Sequence, residues 1–360
     1  LEIISEIENK TNSFTMFKLL VVLAVIAVAA GKNLHDRAYY EEKFFDWVKT
    51  HGVVAKSGSH FVKMLQNFAN NDDLIETHNS GNHTYKLGHN KFSHMSVEEW
   101  REFVHLGLKK PEAITPLRVH NAPADTSALP TNWDWSAQGA VTGVKDQGQC
   151  GSCWSFSSTG ALEGAYYNKY GTLKSFSEQH FVDCDNRKNS NNKGTDLGCN
   201  GGLMDSAFNW ASKNGFVCLE SEYAYVSGTT KAAGTCAESK CAKDTTTAPK
   251  GYVDVQTNSD SALMSAIYQQ PVAVAIEADQ AAFQLYKSGV FTASCGTSLD
   301  HGVLAVGYGT DSATGLDYYK VKNSWGESWG LSGYILLQRG VSQKEGQCGI
   351  LSGPPSYPTY

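Results

Sequence analysis

The chain has 360 residues, 41% of them hydrophobic, and a formal net charge of −6 at pH 7. That length leaves room for a leading segment plus one large or two medium domains. The acidic balance, with no long basic run, excludes a groove that neutralises nucleic-acid phosphates.

Residues 1–15 carry no recognisable role and read as a possible upstream leader. Met16-Phe-Lys18 and the apolar run 19–30, ending in small residues, have the form of a signal peptide over 16–30. The run is shorter than the roughly twenty apolar residues of a membrane helix. No other segment is long enough, so the chain left after signal removal is expected to have no membrane span.

Residues 31–112 read as helical. Apolar residues recur through 39–49, and Phe61, Met64, Leu65, Phe68 and Ile75 continue a helix-period stripe. The stretch 113–130 has linker composition, with Pro116, Pro123 and Pro130. It places a boundary near Asp125, between a leading segment 31–125 and a main body 126–360. A helix is expected to follow Cys153, with an apolar face through Phe156, Leu162, Ala165 and Tyr166 and a stop at Gly171. Further on, the runs 272–276, 302–307, 318–321 and 334–337 read as strands.

All nine cysteines lie after residue 149, an odd number that leaves one thiol over if the rest pair. Cys153 is the candidate nucleophile: a helix N-terminus stabilises a thiolate. A disulfide role, or a redox pair Cys150-Gly-Ser-Cys153, is the alternative. His301 is the candidate acid–base group. Its only rival after residue 120 is His180, which is expected to be a solvated helix residue. Asn323, in Lys-Asn-Ser-Trp-Gly, can accept from one imidazole nitrogen and fix the tautomer. Gln147 can donate its amide to a developing oxyanion. Gly201 and Gly202 let an extended chain approach the backbone. The cysteines are too dispersed and the main body too poor in histidine for a convincing metal set, and no cofactor is implied.

Gln147-Gly-Gln-Cys-Gly-Ser-Cys153-Trp, Gly198-Cys-Asn-Gly-Gly202, His301 and Asn323-Ser-Trp325 together resemble the papain family of cysteine proteases. Within it they resemble the cathepsin L-like group, and the likeness runs from about Phe44 to Tyr357. The resemblance implies an α+β, papain-like two-lobe fold, a helical lobe against a β-barrel-like lobe with the active site between, preceded by a helical inhibitory prosegment. It implies a cysteine endopeptidase made as a zymogen, with Trp325 shielding the Asn323 hydrogen bond from water. By position, Leu203, Met204, Ala275, Leu299, Gly302 and Gly353 line the pocket for the second residue before the cut. With Gly353 leaving the floor open and no carboxylate present, that pocket favours bulky hydrophobic side chains.

The family pattern pairs Cys150 with Cys199, Cys184 with Cys236, and Cys295 with Cys348, leaving Cys153 free. Cys218 and Cys241 fall outside it and are expected to form a fourth bridge. The resemblance also implies protein and peptide substrates, the chain's own prosegment as inhibitor, cystatin-type inhibitors as partners and a monomeric state. It places the enzyme in a lysosome or digestive vacuole, or alternatively outside the cell. An inactive peptide-binding homologue and a thiol oxidoreductase are the competing classes; the second needs a free Cys150. In the prosegment, Phe68, Asn71, Ile75 and Asn79 follow the family's ERFNIN spacing, and Gly88, Asn90 and Phe92 the motif after it. His60, Met64 and His94 stand where charged residues are usual. Acid release is therefore expected to be driven by His60 and His94.

Overall fold

The computed structural model describes residues 33–108, 118–188 and 194–360. The expected leader and signal peptide lie outside the described residues. Two compact units result: the described residues up to Gly81 with Gly88–Ser96, and Asn82–Leu87 with Val97–Tyr360. No described helix is long and apolar enough to cross a membrane.

The first unit is built on two helices. Helix α1 (Arg37–His51) starts where the Asp36 carboxylate accepts from the Tyr39 amide, and ends at Gly52, whose φ of 63° suits glycine. Helix α2 (Gly58–Ser80) starts under the Ser57 hydroxyl, which accepts from the His60 amide. Between them Phe44 packs its ring against Trp47, Phe61 and Phe68, with centroids 5.4 to 5.8 Å apart. Conserving the fold of 88–96 falls to Asn71, which donates to the carbonyls of Ser93 and Met95 at 2.9 Å, and to Trp47, whose indole donates to Asn90 at 2.8 Å. An ion triad centres on buried Asp72 of α2, which accepts from Lys43 at 2.6 Å and lies 2.8 Å from His89.

In the second unit, helix α3 (Val97–Val104) precedes an extended stretch to Leu108. Helix α4 (Cys153–Tyr170) closes at Gly171, whose φ is 70°. The expected single apolar face is too narrow a description, because every residue from Cys153 to Tyr166 is buried. Its polar side chains are satisfied internally: Ser157 donates to the Val303 carbonyl and Thr159 to Glu178. Helices α5 (Glu178–Cys184), α6 (Met204–Asn214) and α7 (Asp260–Gln269) complete the main helical set.

The strands are β1 (Tyr85–Leu87), β2 (Val119–His120), β3 (Trp133–Asp134), β4 (Gly251–Val255), β5 (Val272–Ile276), β6 (Tyr286–Phe291), β7 (His301–Thr310), β8 (Asp317–Lys322), β9 (Tyr334–Gln338) and β10 (Ser356–Thr359). They form one sheet in the order β1-β6-β9-β8-β7-β5-β10-β4-β2, with β3 added on β7. The fold is α+β, as the sequence implied. Strand β7 runs antiparallel to both neighbours, with His301 opposite Ile276 and Leu304 opposite Lys322. The start of β7 thereby lies beside the end of β8.

Four disulfides join Cys150–Cys199, Cys184–Cys236, Cys218–Cys241 and Cys295–Cys348, and Cys153 is free and buried. His180 is fully buried, contrary to the expectation of a solvated residue. Helix α5 is covered on all sides, so a solvated face does not exist there. The His180 ring accepts from the Cys218 amide at Nδ1 and faces Glu238 from Nε2 at 3.2 Å. His180, Cys184 and Glu238 bring ligand-type atoms within 4.8 Å of one another. The Cys184 sulfur is already committed to Cys236.

Candidate active site

Cys153 is the first residue of α4, where the helix leaves its N-terminal amides without internal partners. His301 opens β7 and Asn323 follows β8, so the sheet register brings their side chains together. His301 Nε2 lies 2.7 Å from Asn323 Oδ1, which also accepts from the Ser324 amide at 2.8 Å. The Trp325 indole stacks on the imidazole with centroids 4.8 Å apart and planes inclined by 23°. Nδ1 of His301 is left with no partner. The start of β7 also adjoins the start of α4: a Cβ built on Gly302 would sit 3.4 Å from both the Cys153 carbonyl and Trp154 Cα.

Burial dominates the electrostatics. It pushes the Cys153 thiol up, against backbone amides of Gly302, Gly107 and Trp154 that pull it down. Burial pushes His301 down to about 4, with the Asn323 bond acting the other way. A neutral thiol beside a neutral imidazole is therefore favoured while the site is covered.

The cover is residues 104–108, a segment the sequence reading did not single out. Gln147 Nε2 donates to the Val104 carbonyl and to the Cys150 carbonyl, each at 3.1 Å, while Ser324 donates to its Oε1. The amide expected to serve an oxyanion is occupied by a backbone carbonyl here. The Gly202 amide donates to Gly107 at 3.0 Å, and the Leu108 amide donates to Asp300 at 3.1 Å. A Cβ on Gly107 would lie 2.2 Å from the Gly151 carbonyl oxygen, so no larger residue fits that crossing. Trp100 of α3 meets Trp325 edge to face at 5.6 Å. Little in the local sequence marks this segment, because the partners of Val104, Gly107 and Leu108 across the site lie more than forty residues away.

A pocket of about 320 Å³ brings together Leu203, Met204, Ala275, Leu299 and Gly353, with Leu108 on its wall. Gly302 is not on its lining, though a Cβ there would lie 3.2 Å from Met204 Sδ. At Gly353 a Cβ would approach Leu299 to 2.6 Å, so the space next to it depends on the missing side chain. Besides Leu108, the lining residues not foreseen are Asp205, Thr297, Ser298, Ser352 and Pro354. The expectation of a lining without a carboxylate fails at Asp205, at the start of α6. Burial pushes its carboxyl up to about 6, with the nearby Ser356 acting the other way. The oxidoreductase alternative loses its requirement, since Cys150 is bonded to Cys199 and fully buried.

Comparison with known proteins identifies the family. The sequence model described as papain family cysteine protease matches residues 129–358, and that of the cathepsin propeptide inhibitor domain (I29) matches residues 44–100. The senescence-specific cysteine protease SAG39 of Oryza sativa subsp. indica is 40% identical over 351 residues, covering 96% of this chain and 98% of its own. The solved recombinant stem bromelain precursor superposes with a TM-score of 0.78 at 38% identity, covering 89% of this chain and 99% of its own. Digestive procathepsin L 3 of the Tenebrio molitor larval midgut gives a TM-score of 0.74 at 36% identity, with coverages of 89% and 99%.

Proposed function

The chain belongs to the papain family of cysteine proteases and is made with a cathepsin-type inhibitory propeptide, and from that premise we propose that it is an endopeptidase working through Cys153, His301 and Asn323. The observation that carries the reading is the His301 ring, tied to Asn323 at Nε2, stacked on Trp325 and unpartnered at Nδ1, at the start of a strand whose next residue, Gly302, adjoins the free Cys153. Asn323 fixes the tautomer in which Nδ1 can take the thiol proton. Sulfur then attacks the scissile carbonyl carbon, and a C–S bond forms as the carbonyl π pair moves to oxygen. The Gln147 amide and the Cys153 backbone N–H stabilise that oxygen. The imidazolium gives its proton to the amide nitrogen as the C–N bond breaks. A water, deprotonated by His301, attacks the thioester, and the C–S bond breaks to return the thiolate.

Access requires removal of residues 104–108, whose carbonyl and amide groups hold the positions at Gln147 and Gly202. Return of water then lifts the burial penalty on both ionic forms, favouring the thiolate–imidazolium pair. The apolar part of the lining, Leu203, Met204, Ala275 and Leu299, supports a preference for Leu, Phe or Val at the second position before the cut, an added methylene there being worth about 1–3 kcal/mol. We place the maturation boundary near Asp125 and the destination in a lytic compartment or outside the cell.

The test is labelling with a thiol-directed peptide probe after acid activation, alongside Cys153→Ala. Rapid modification of Cys153 alone is expected, with hydrolysis absent in the variant. Peptidase activity surviving in purified Cys153→Ala would rule out the assignment.

A further inference from the structure

Two buried carboxyls lie behind the cleft wall and take no part in the chemistry above. Asp185 follows α5, and Asp196 stands shortly before Gly202; their side chains are 0% and 4% exposed. Asp185 Oδ1 accepts from the Thr195 amide and Asp196 Oδ1 from the Leu203 amide, each at 3.0 Å. Their Oδ2 atoms find no N–H or O–H donor. The two carboxyls lie within hydrogen-bonding reach of each other. Two ionised carboxylates in such contact, away from water, repel strongly, whereas a single proton between them satisfies both oxygens.

What the pair holds is the substrate-facing backbone. A Cβ on Gly202 would come within 2.7 Å of the Asp196 carboxyl and 2.6 Å of the Trp154 ring, so Asp196 is packed directly behind that glycine. The Gly202 amide is the group that pairs with the Gly107 carbonyl, and Leu203 lines the apolar pocket. Asp196 thus fixes both a backbone donor and a pocket wall, and Asp185 braces Asp196 from α5.

We propose that Asp185 and Asp196 share one proton, and that the protonated pair positions Gly202 and Leu203, so that substrate binding weakens when the proton is lost. The inference rests on the reading of this pocket as the acceptor of the second residue before the cut. Among the described residues, the charged group facing the pair is Asp205 of α6, which opposes ionisation of Asp196. Helix α4 presents only the Trp154 ring there, and Arg187 meets Asp196 through main-chain atoms, with its side chain exposed. Burial pushes Asp185 up to about 6 and Asp196 up as well. The sign follows: carboxyls raised in the folded state contribute order at acid pH that is lost as pH rises through the folded values.

The experiment measures KM and kcat of enzyme activated from the full chain, using peptides with Leu or Arg second before the cut, between about pH 5 and about pH 8. For wild type, KM of the Leu peptide is expected to rise about fivefold across that range. In Asp185→Asn the new amide donates permanently to Asp196, and KM should stay flat within about twofold. A wild-type KM slope retained in Asp185→Asn overturns the proposal. Equal handling of Leu and Arg peptides at every pH would instead overturn the pocket reading, and the two failures are distinct. A readout needing no variant is hydrogen exchange of the Leu203 amide in the full chain, corrected for intrinsic rate. Protection that drops on passing to alkaline pH supports the pair, and constant protection sinks it.

Discussion

The two units use opposite means to stay folded. The unit built on α1 and α2 has no cysteine, and its core is a cluster of rings around Phe44. Its central ion triad is only half-hidden: Asp72 is buried, but Lys43 and His89 keep 39% and 25% of their side chains exposed. The peptidase unit carries all four disulfides and buries charge outright. Lys145 reaches Glu163 at 3.2 Å, Glu178 at 2.7 Å and the Phe176 carbonyl at 3.0 Å, with both glutamates 1% exposed. A charge that can return to water when its partner leaves costs little to separate, while one that cannot return makes separation expensive. The first arrangement suits a unit that unfolds at little electrostatic cost, and the second a body that resists unfolding.

The largest effect that would sharpen this contrast is expected at Lys145. In Lys145→Met, two buried carboxylates lose the cation that both bond directly, a change that typically costs about 3–5 kcal/mol. Burial already pushes Glu178 up. It should take up a proton first, so the loss in urea unfolding should shrink toward acid pH. A peptidase unit as stable as wild type at neutral pH would show that the buried network is not what sets it apart.

Next in size is the Cys218–Cys241 bridge, which closes a loop with a sequence separation of 23. Replacing both residues by Ser should cost about 3 kcal/mol through the freed unfolded chain. The thermal transition of the peptidase unit should fall while that of the first unit stays put. A shift of both transitions together would mean that the units do not differ in this way.

Much of this was legible in local sequence and some was not. The strand 272–276 could be read because a continuous β-branched and Ala run is bounded by Pro271 and Glu277, and it appears as β5 with the same limits. Cys153, His301 and Asn323 each stand at the junction of an element and a turn, where motif spacing carries the information. The cover at 104–108 was invisible because it leaves the end of α3 and its contacts across the site, to Gln147, Gly202 and Asp300, are all distant in sequence. Asp205 escaped notice because an acidic residue in the first turn of a helix has an ordinary helix-dipole explanation. His180 was misjudged since α5, read alone, offers no sign that Cys218, Trp210 and Phe216 close over it.

The smallest expected effect concerns how acid loosens the first unit, and it moves the trigger that the sequence suggested. His60 acts as part of the α2 cap, its Nδ1 accepting from the Lys56 amide at 3.0 Å. The ring of His94 lies 5.0 Å from that of Trp47. His51 of the first unit is held below its ordinary value, by burial first and then by the nearby His89 and Lys91. Its ring also lies against Trp47, at 5.2 Å. An unfolded His51 takes up a proton near ~6.5 while the folded one resists, so the unit loses stability as pH falls below that value. Asp72 acts lower: Lys43 and His89 outweigh burial and hold it down, so its contribution persists above ~3.9 and is lost as pH falls through the folded value. The first loosening should therefore follow His51. In His51→Gln the pH midpoint of self-processing of the full chain should drop by about half a unit, since one modestly shifted group is removed. An unmoved midpoint in His51→Gln, with a shifted one in His60→Gln, would return the trigger to the helix cap.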